Sequence, residues 1–246
     1  MTAPTGELSW REAYSKLAAA QKSSKGAPAY GRFVNRPMGR AFAALAYVLH
    51  RTPNQVTAVS ALFTFSGIAV IGFLPPSVGW AVLSGALLVI GYALDAADGQ
   101  LARLQGSGSS SGEFLDHTVD ALKTSVLHLA ILASWFRFDD RYWLLLVPMA
   151  FQAIDTVQFS SFLLIDSMRR NRAGKAAPAS PAGAGKSSVL YSLAKLPEDY
   201  GLLCVLIAFR FWTDGFTAAY TLLMITSGVL LAIGLPRRYQ EIKSFG

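Results

Sequence analysis

The chain is short of cysteine and of charge. Cys204 is the one cysteine in 246 residues, which excludes an intramolecular disulfide and a multi-cysteine metal site. It sits in an apolar run and reads as inert packing. Only 15% of residues are charged, against 52% hydrophobic, which is too apolar for an average water-soluble domain. From Thr52 to Leu94 no residue is charged. Residues 1–27 lack the apolar core of a secretory signal, and no internal repeat is visible. The charge that is present is mostly basic, with 22 Lys+Arg against 15 Asp+Glu and a net charge of +7. These charges flank apolar runs, so the partner they imply is an anionic membrane surface, not a nucleic acid.

The apolar runs predict membrane spans. Pro75-Pro76 divides the charge-free stretch into spans of about 54–74 and 77–101, each near the roughly 20 residues a bilayer requires. A third is expected from Gly112 to Phe136, carrying Asp120 and Lys123 in its first turns. A fourth covers 142–168 with Asp155 in its middle. A fifth covers 199–213, interrupted by Arg210, and a sixth 216–236. Ahead of them, Leu8, Tyr14 and Leu17 mark a short amphipathic stretch. Val34, Met38, Phe42, Leu45 and Leu49 then recur at helical spacing among Arg32, Arg36 and Arg40, with Pro37 suited to a first helical turn. Such a helix lies in the membrane interface, packs on the protein's own core, or does both. Trp80, Trp135, Trp143 and Trp212 fit an interfacial belt.

The expected fold is therefore an all-α integral membrane protein, with about six transmembrane helices preceded by an amphipathic interfacial helix. Residues 1–50 form the N-terminal segment, 51–238 the membrane domain and 239–246 a tail. Residues 171–190, rich in Ala, Pro, Gly and Ser, form a flexible loop. The segment before the first span holds eight Lys/Arg, the loop at 169–195 six, and the tail after Pro236 three. The positive-inside rule places both termini and the loop between the second and third spans on the cytoplasmic side of the cell membrane.

That loop separates two acidic pairs, Asp95/Asp98 and Asp116/Asp120. Spacings of i,i+3 and i,i+4 put each pair on one helix face. Acids at the ends of apolar helices are costly and usually functional. If Gln105–Ser111 folds the two helices antiparallel, the pairs face each other, and four facing carboxylates need cations between them. Oxygen-only ligands select Mg²⁺, Mn²⁺ or Ca²⁺. Spacing alone leaves several chemistries open: displacement at phosphorus, ionisation of a prenyl diphosphate, an ion or proton path, or solvated helix ends. Gly99 and Ala102 keep the helix surface small after Asp98, Arg103 reaches toward a phosphate, and Gly112 clears space one turn before Asp116.

Together the residues read D-x2-D-G-x2-A-R-x8-G-x3-D-x3-D over 26 positions. This pattern resembles the signature of the CDP-alcohol phosphotransferase (CDP-alcohol phosphatidyltransferase) family, and the sequence is similar to a bacterial member. The resemblance implies attack of an alcohol hydroxyl on the β-phosphorus of a CDP-linked donor, often CDP-diacylglycerol, with release of CMP in phospholipid biosynthesis. It implies two Mg²⁺ or Mn²⁺ ions on Asp95, Asp98, Asp116 and Asp120, with Asp120 also the general base. It assigns Gly99, Ala102, Arg103, Ser109 and Gly112 to the donor. Thr52, Pro53, Asn54 and Gln55 resemble the family's donor-binding turn. A homodimer and a membrane-lipid partner are also implied.

Lys123, one turn beyond Asp120, is a candidate for binding an acceptor or donor phosphate, or equally for a salt bridge to a motif carboxylate. Asp155, between Gln152 and Gln158, is a candidate for the acceptor pocket. His117 and His128 read as structural. One departure stands out. Relatives with phosphorylated acceptors carry bases late in the fourth helix and an Arg after a proline at the start of the fifth. Here the fourth span has no base until Arg169, and Glu198 and Asp199 follow Pro197. That favours a neutral or cationic alcohol, or a CDP-aminoalcohol or CDP-polyol donor. An Asp-rich prenyltransferase would leave Gly99, Ala102 and Arg103 unexplained.

Overall fold

The computed structural model describes residues 8–19, 28–173 and 189–244. Their order is α1 (Trp10–Ala19), a π-helical turn (Gly31–Asn35), α2 (Arg36–Val48), α3 (Pro53–Phe73), α4 (Val78–Gln105) and α5 (Ser110–Phe138). A 3₁₀ turn (Tyr142–Leu145) then leads into α6 (Leu146–Ala173), followed by α7 (Val189–Ala194), α8 (Tyr200–Ile207) and α9 (Thr213–Lys243). No strand occurs among the described residues. Helices α3, α4, α5 and α9 are long and apolar enough to cross a membrane, so the all-α membrane fold stands. The count of six spans leans on α6, long enough at 28 residues, and on α8, which has eight. Most of the loop expected over 171–190 lies outside the described residues. The tail expected from 239 is helical through Lys243, because α9 continues past Pro236.

Helix α3 is the spacer of the bundle. Both α4 and α5 pack along it, while α4 and α5 barely approach each other. Close approach of α3 to α4 depends on small residues, as is usual where helices associate in lipid. A methyl on Gly91 would lie 2.3 Å from Thr64 Oγ1, and Ser60 Oγ donates to the Gly91 carbonyl at 2.9 Å. A buried cluster including Ile71, Leu88, Leu127, Ile131, Ile207 and Tyr220 fills the other end of the bundle.

The helix before the first span packs with a different face from the one its apolar period suggested. Gly39, Ala43, Ala44 and Ala46 are buried, and a methyl on Gly39 would come within 2.9 Å of Ala96 Cβ. Val34, Leu45, Val48 and Leu49 stay exposed. Small residues thus dock α2 on α4, Phe42 packs beside them, and Val34, Leu45, Val48 and Leu49 are left on the outer face. Trp135 departs from the aromatic belt. It is buried and meets Phe216 and Tyr220 edge-on, whereas Trp80, Trp143 and Trp212 are exposed.

Arg210 follows α8 and turns inward. It is 4% exposed. Its guanidinium donates to the carbonyls of Val70, Ile71, Leu74 and Pro75 at 3.1–3.4 Å and to Ser134 Oγ at 3.3 Å. These carbonyls lie at the end of α3 and just beyond it, where intrahelical donors run out. Val70 still accepts from the Leu74 N–H and Pro75 from the Ser77 N–H, while Ile71 and Leu74 turn to the guanidinium, and a cation suits the negative end of the helix. The residue that looked like an interruption of a span is the cap of another helix. Arg210→Met takes the donor from the Ile71 and Leu74 carbonyls and is expected to cost about 3 kcal/mol of unfolding free energy. Denaturant unfolding of the detergent-solubilised variant would measure it, and an unchanged midpoint would refute the capping role.

Candidate active site

The acidic pairs owe their positions to the ends of their helices. Helix α4 stops at Gly106, whose φ of +64° is a left-handed conformation that glycine adopts without strain. The Ser107 N–H closes that end on the Ala102 carbonyl at 3.0 Å. Ser109 Oγ then accepts from the Gly112 N–H at 3.1 Å and caps α5. Asp95 and Asp98 lie toward the C-terminal end of α4, and Asp116 and Asp120 in the first turns of α5. The two helices do run back from a short loop, as expected, but with α3 holding them apart. The acids therefore line a gap and not a helix–helix seam.

Lys123 spans that gap. Its Nζ lies 2.5 Å from Asp120 Oδ1 on its own helix and 3.7 Å from Asp95 Oδ1 on α4. Asp95 lies within electrostatic reach of both Asp116 and Asp120, and Asp98 within reach of Asp95 and Asp116. The two pairs thus converge. Asp98 is held individually: its carboxylate accepts from Thr57 Oγ1 at 2.6 Å and from the Gly99 N–H at 2.5 Å. The same hydroxyl oxygen lies 3.1 Å from the Pro53 carbonyl, and its single proton serves the shorter contact to Asp98.

The donor set gathers at the same end. Thr52 and Gln55 form a reciprocal capping box at the start of α3, with Thr52 Oγ1 accepting from the Gln55 N–H and Gln55 Oε1 from the Thr52 N–H. Pro53 occupies the first turn, so three of these four residues have a local structural reason to be present. Asn54 faces the loop: a methyl on Gly112 would lie 3.2 Å from both Asn54 Oδ1 and Ser109 Oγ. On α4, Arg103 folds over Gly99, whose added methyl would lie 3.6 Å from Arg103 Nη1. Ala102 is half-buried, while Thr52, Asn54, Gln55 and Arg103 are exposed, so this end opens to water.

The residues fit a divalent cation. Among the described residues, ligand atoms of Asp116, His117 and Asp120 lie within 4.8 Å of one another. Asp120 Oδ1 is buried, with the Lys123 ammonium as its neighbour. Hard carboxylate oxygens suit Mg²⁺ or Mn²⁺. Asp98 is engaged by Thr57 and Gly99, and Lys123 engages Asp120 more closely than Asp95. His117, which sequence spacing read as structural, stands 3.6 Å from Glu113 as well as beside the acids.

Asp155 is not brought to this cluster. It pairs through Oδ2 with His128 Nε2 at 3.2 Å, and His128 Nδ1 meets the Tyr220 hydroxyl at 2.6 Å. His128 is eight residues beyond Asp120 on α5, about 12 Å along the axis. The triad ties α5, α6 and α9 together, which agrees with the structural reading of His128. Sequence reasoning missed Thr57, Tyr92 and Tyr200. Thr57 alone carried a signal, as a hydroxyl one turn past Pro53 in an otherwise apolar run. A small, partly open cavity lined by Ile71, Trp135, Asp139 and Arg210 lies elsewhere in the bundle and contains no motif residue.

The family model for CDP-alcohol phosphatidyltransferase matches residues 50–233 of the 246. An archaetidylinositol phosphate synthase of Pyrococcus horikoshii is 38% identical over 107 residues, 43% of this chain and 54% of the relative. A phosphatidylinositol phosphate synthase of Corynebacterium glutamicum is 39% identical over 80 residues, 32% of this chain and 35% of the relative. The chain therefore spans about half or less of the length of these curated relatives.

Outer-shell donors fix the orientation of metal-ligating groups. Thr57→Val removes the 2.6 Å bond to Asp98 and is expected to weaken Mn²⁺ binding by about tenfold or more. Electron paramagnetic titration of free Mn²⁺ would read the change, and unchanged affinity would free Asp98 from any dependence on Thr57.

Proposed function

The chain belongs to the CDP-alcohol phosphatidyltransferase family, and on that premise we propose that it transfers a phosphatidyl group from CDP-diacylglycerol to an alcohol. The observation that carries this reading is the convergence of Asp95 on α4 with Asp120 on α5 through one lysine, beside a loop of small residues that faces Asn54. The acceptor hydroxyl oxygen attacks the β-phosphorus of the donor. The phosphoanhydride bond to CMP breaks, CMP leaves with that electron pair, and the hydroxyl proton passes to Asp120. Asp95, Asp98, Asp116 and Asp120 are the groups that would hold divalent ions. Such ions, when bound, stabilise the charge of the leaving nucleotide.

The other residues position. Gly99 and Gly112 let a nucleotide approach backbone that a side chain would block. Arg103 offers a forked cation to a phosphate oxygen, and Asn54 and Ser109 flank the same opening. The reading places the carboxylate end and both termini on the cytoplasmic side, from the distribution of Lys and Arg, and the working unit as a homodimer.

Two opposed observations bear on the acceptor. The relatives' names specify inositol phosphate lipids as their products. Against that, the late bases of α6 are engaged with carboxylates: Arg169 pairs with Glu241 at 2.7 Å, and Arg170 with Glu113 and Asp166. Asp199, following Pro197, caps α8 by accepting from the Gly201 N–H at 3.1 Å. Purified full chain with CDP-diacylglycerol, Mg²⁺ and a panel of phosphorylated, neutral and cationic alcohols should release CMP with one class of acceptor and stop on EDTA. CDP-aminoalcohol donors in the same assay test the alternative donor. Release from no combination would overturn the function. Asp120→Asn should lower turnover by about a hundredfold or more while CDP binding changes little. Equal loss of both would remove the role of base from Asp120.

A further inference from the structure

Lys123 is 7% exposed, and its ammonium already occupies oxygens that a divalent ion would use. Besides Asp120 and Asp95, it faces two aromatic rings, Tyr200 at 4.9 Å and Tyr92 at 6.0 Å from the ring centroids. Tyr92 and Tyr200 meet edge-on at 5.1 Å, and Tyr30 stacks on Tyr92 at 6.3 Å. An ammonium against ring faces is held electrostatically as well as by its carboxylates. This head group is therefore built into place and does not sweep a solvated surface.

A divalent ion bound to a carboxylate sits about 2.1 Å from its oxygen. An ammonium 2.5 Å from the same oxygen would be a close cationic neighbour, and the two repel. We propose that Lys123 is a resident cation of the carboxylate cluster. It neutralises Asp95 and Asp120 in the empty site and competes with divalent ions for them. Ion loading is then favoured when the donor's diphosphate adds negative charge of its own. The gap between α4 and α5 thereby stays paired without ions, and ions and nucleotide enter together. A lysine that merely bound an acceptor phosphate would have no such effect on the metal.

This inference rests on the proposed function, and the test separates the two. Mn²⁺ affinity is measured by electron paramagnetic titration of full chain in detergent, with and without CDP, alongside CMP release. Lys123→Gln, prepared throughout in Mn²⁺ so that the ion replaces the lost charge, should bind Mn²⁺ without CDP about tenfold tighter than the unsubstituted protein, the scale at which a neighbouring charge moves an ionic equilibrium. Its gain in affinity on adding CDP should shrink. Lys123→Arg keeps the cation and should match the unsubstituted protein within about twofold. If the unsubstituted protein binds Mn²⁺ and releases CMP while Lys123→Gln binds Mn²⁺ equally or more weakly, competition is refuted and the function stands. If Lys123→Arg tightens binding as Lys123→Gln does, charge is not the cause and the proposal fails. A Lys123→Gln protein that cannot fold even in Mn²⁺ would also refute it, because the ion could not stand in for the ammonium. No Mn²⁺ binding and no CMP release by the unsubstituted protein would remove both readings.

Discussion

Carboxylates set among apolar helices require positive charge or hydrogen-bond donors close at hand, and the rest of this site is arranged around that requirement. Desolvating an unpaired carboxylate is expensive. Each acid here is dealt with differently. Asp98 takes a hydroxyl and a backbone N–H. Asp95 and Asp120 share one ammonium. Asp116 stands beside His117 at the more open edge. Four chemically identical groups are thus treated unevenly, and two of them share a single ammonium. One cation between two carboxylates leaves negative charge in the gap, which makes it a place for further cations.

The width of the gap is set by a helix that carries no acid. Helix α3 separates α4 from α5, and it is pinned at both ends. Its start is closed by the Thr52/Gln55 capping box, and its finish by the buried guanidinium of Arg210. Between them, Ser60 and Thr64 lock it against the bare backbone at Gly91, and Thr57 reaches Asp98 itself. A spacer fixed at three levels cannot slide, so the distance between the acidic pairs is held by packing and not by the acids' own interactions. This arrangement preorganises groups that would otherwise repel one another.

Much of this was legible in the residues. The i,i+3 and i,i+4 spacings placed each acidic pair on a helix face, Pro75-Pro76 divided the charge-free stretch correctly, and Gly106 and Ser109 ended and began helices as their chemistry predicts. What could not be read was tertiary. Little local marks α3 as the spacer: Thr57 stands out only by its place one turn past Pro53, and Ser60 and Thr64 resemble ordinary tolerated hydroxyls. Arg210 looked like a flaw in a span because a cation's partner carbonyls lie some 140 residues away in the chain. The apolar period of the helix before the first span marked mostly its exposed side, while its packing side was written in Gly39, Ala43 and Ala46, residues that periodicity arguments discount. His128 and Asp155 looked isolated because their meeting needs α5, α6 and α9 to be assembled first.

The same reasoning bears on the missing bases. The expectation looked for cations late in α6 and at the start of α8, and found Glu198 and Asp199 instead. In the fold Asp199 has a structural duty. It accepts from the Gly201 N–H and from the Gly31 N–H at 2.9 Å, which ties the turn before α2 to the start of α8. Tyr30 fills the space that a side chain on Gly201 would need, since a methyl there would lie 1.9 Å from its ring. This contact brings the basic segment before the first span against the bundle. Arg36 lies within electrostatic reach of Arg32 and Tyr92, and Arg103 within reach of Arg36 and Asp98. Positive charge from the element preceding α3 therefore stands beside Arg103, the α4 cation that faces Asp98. Charge that helix order would assign to one part of the chain can be delivered by another, provided a capping carboxylate such as Asp199 fastens the two together.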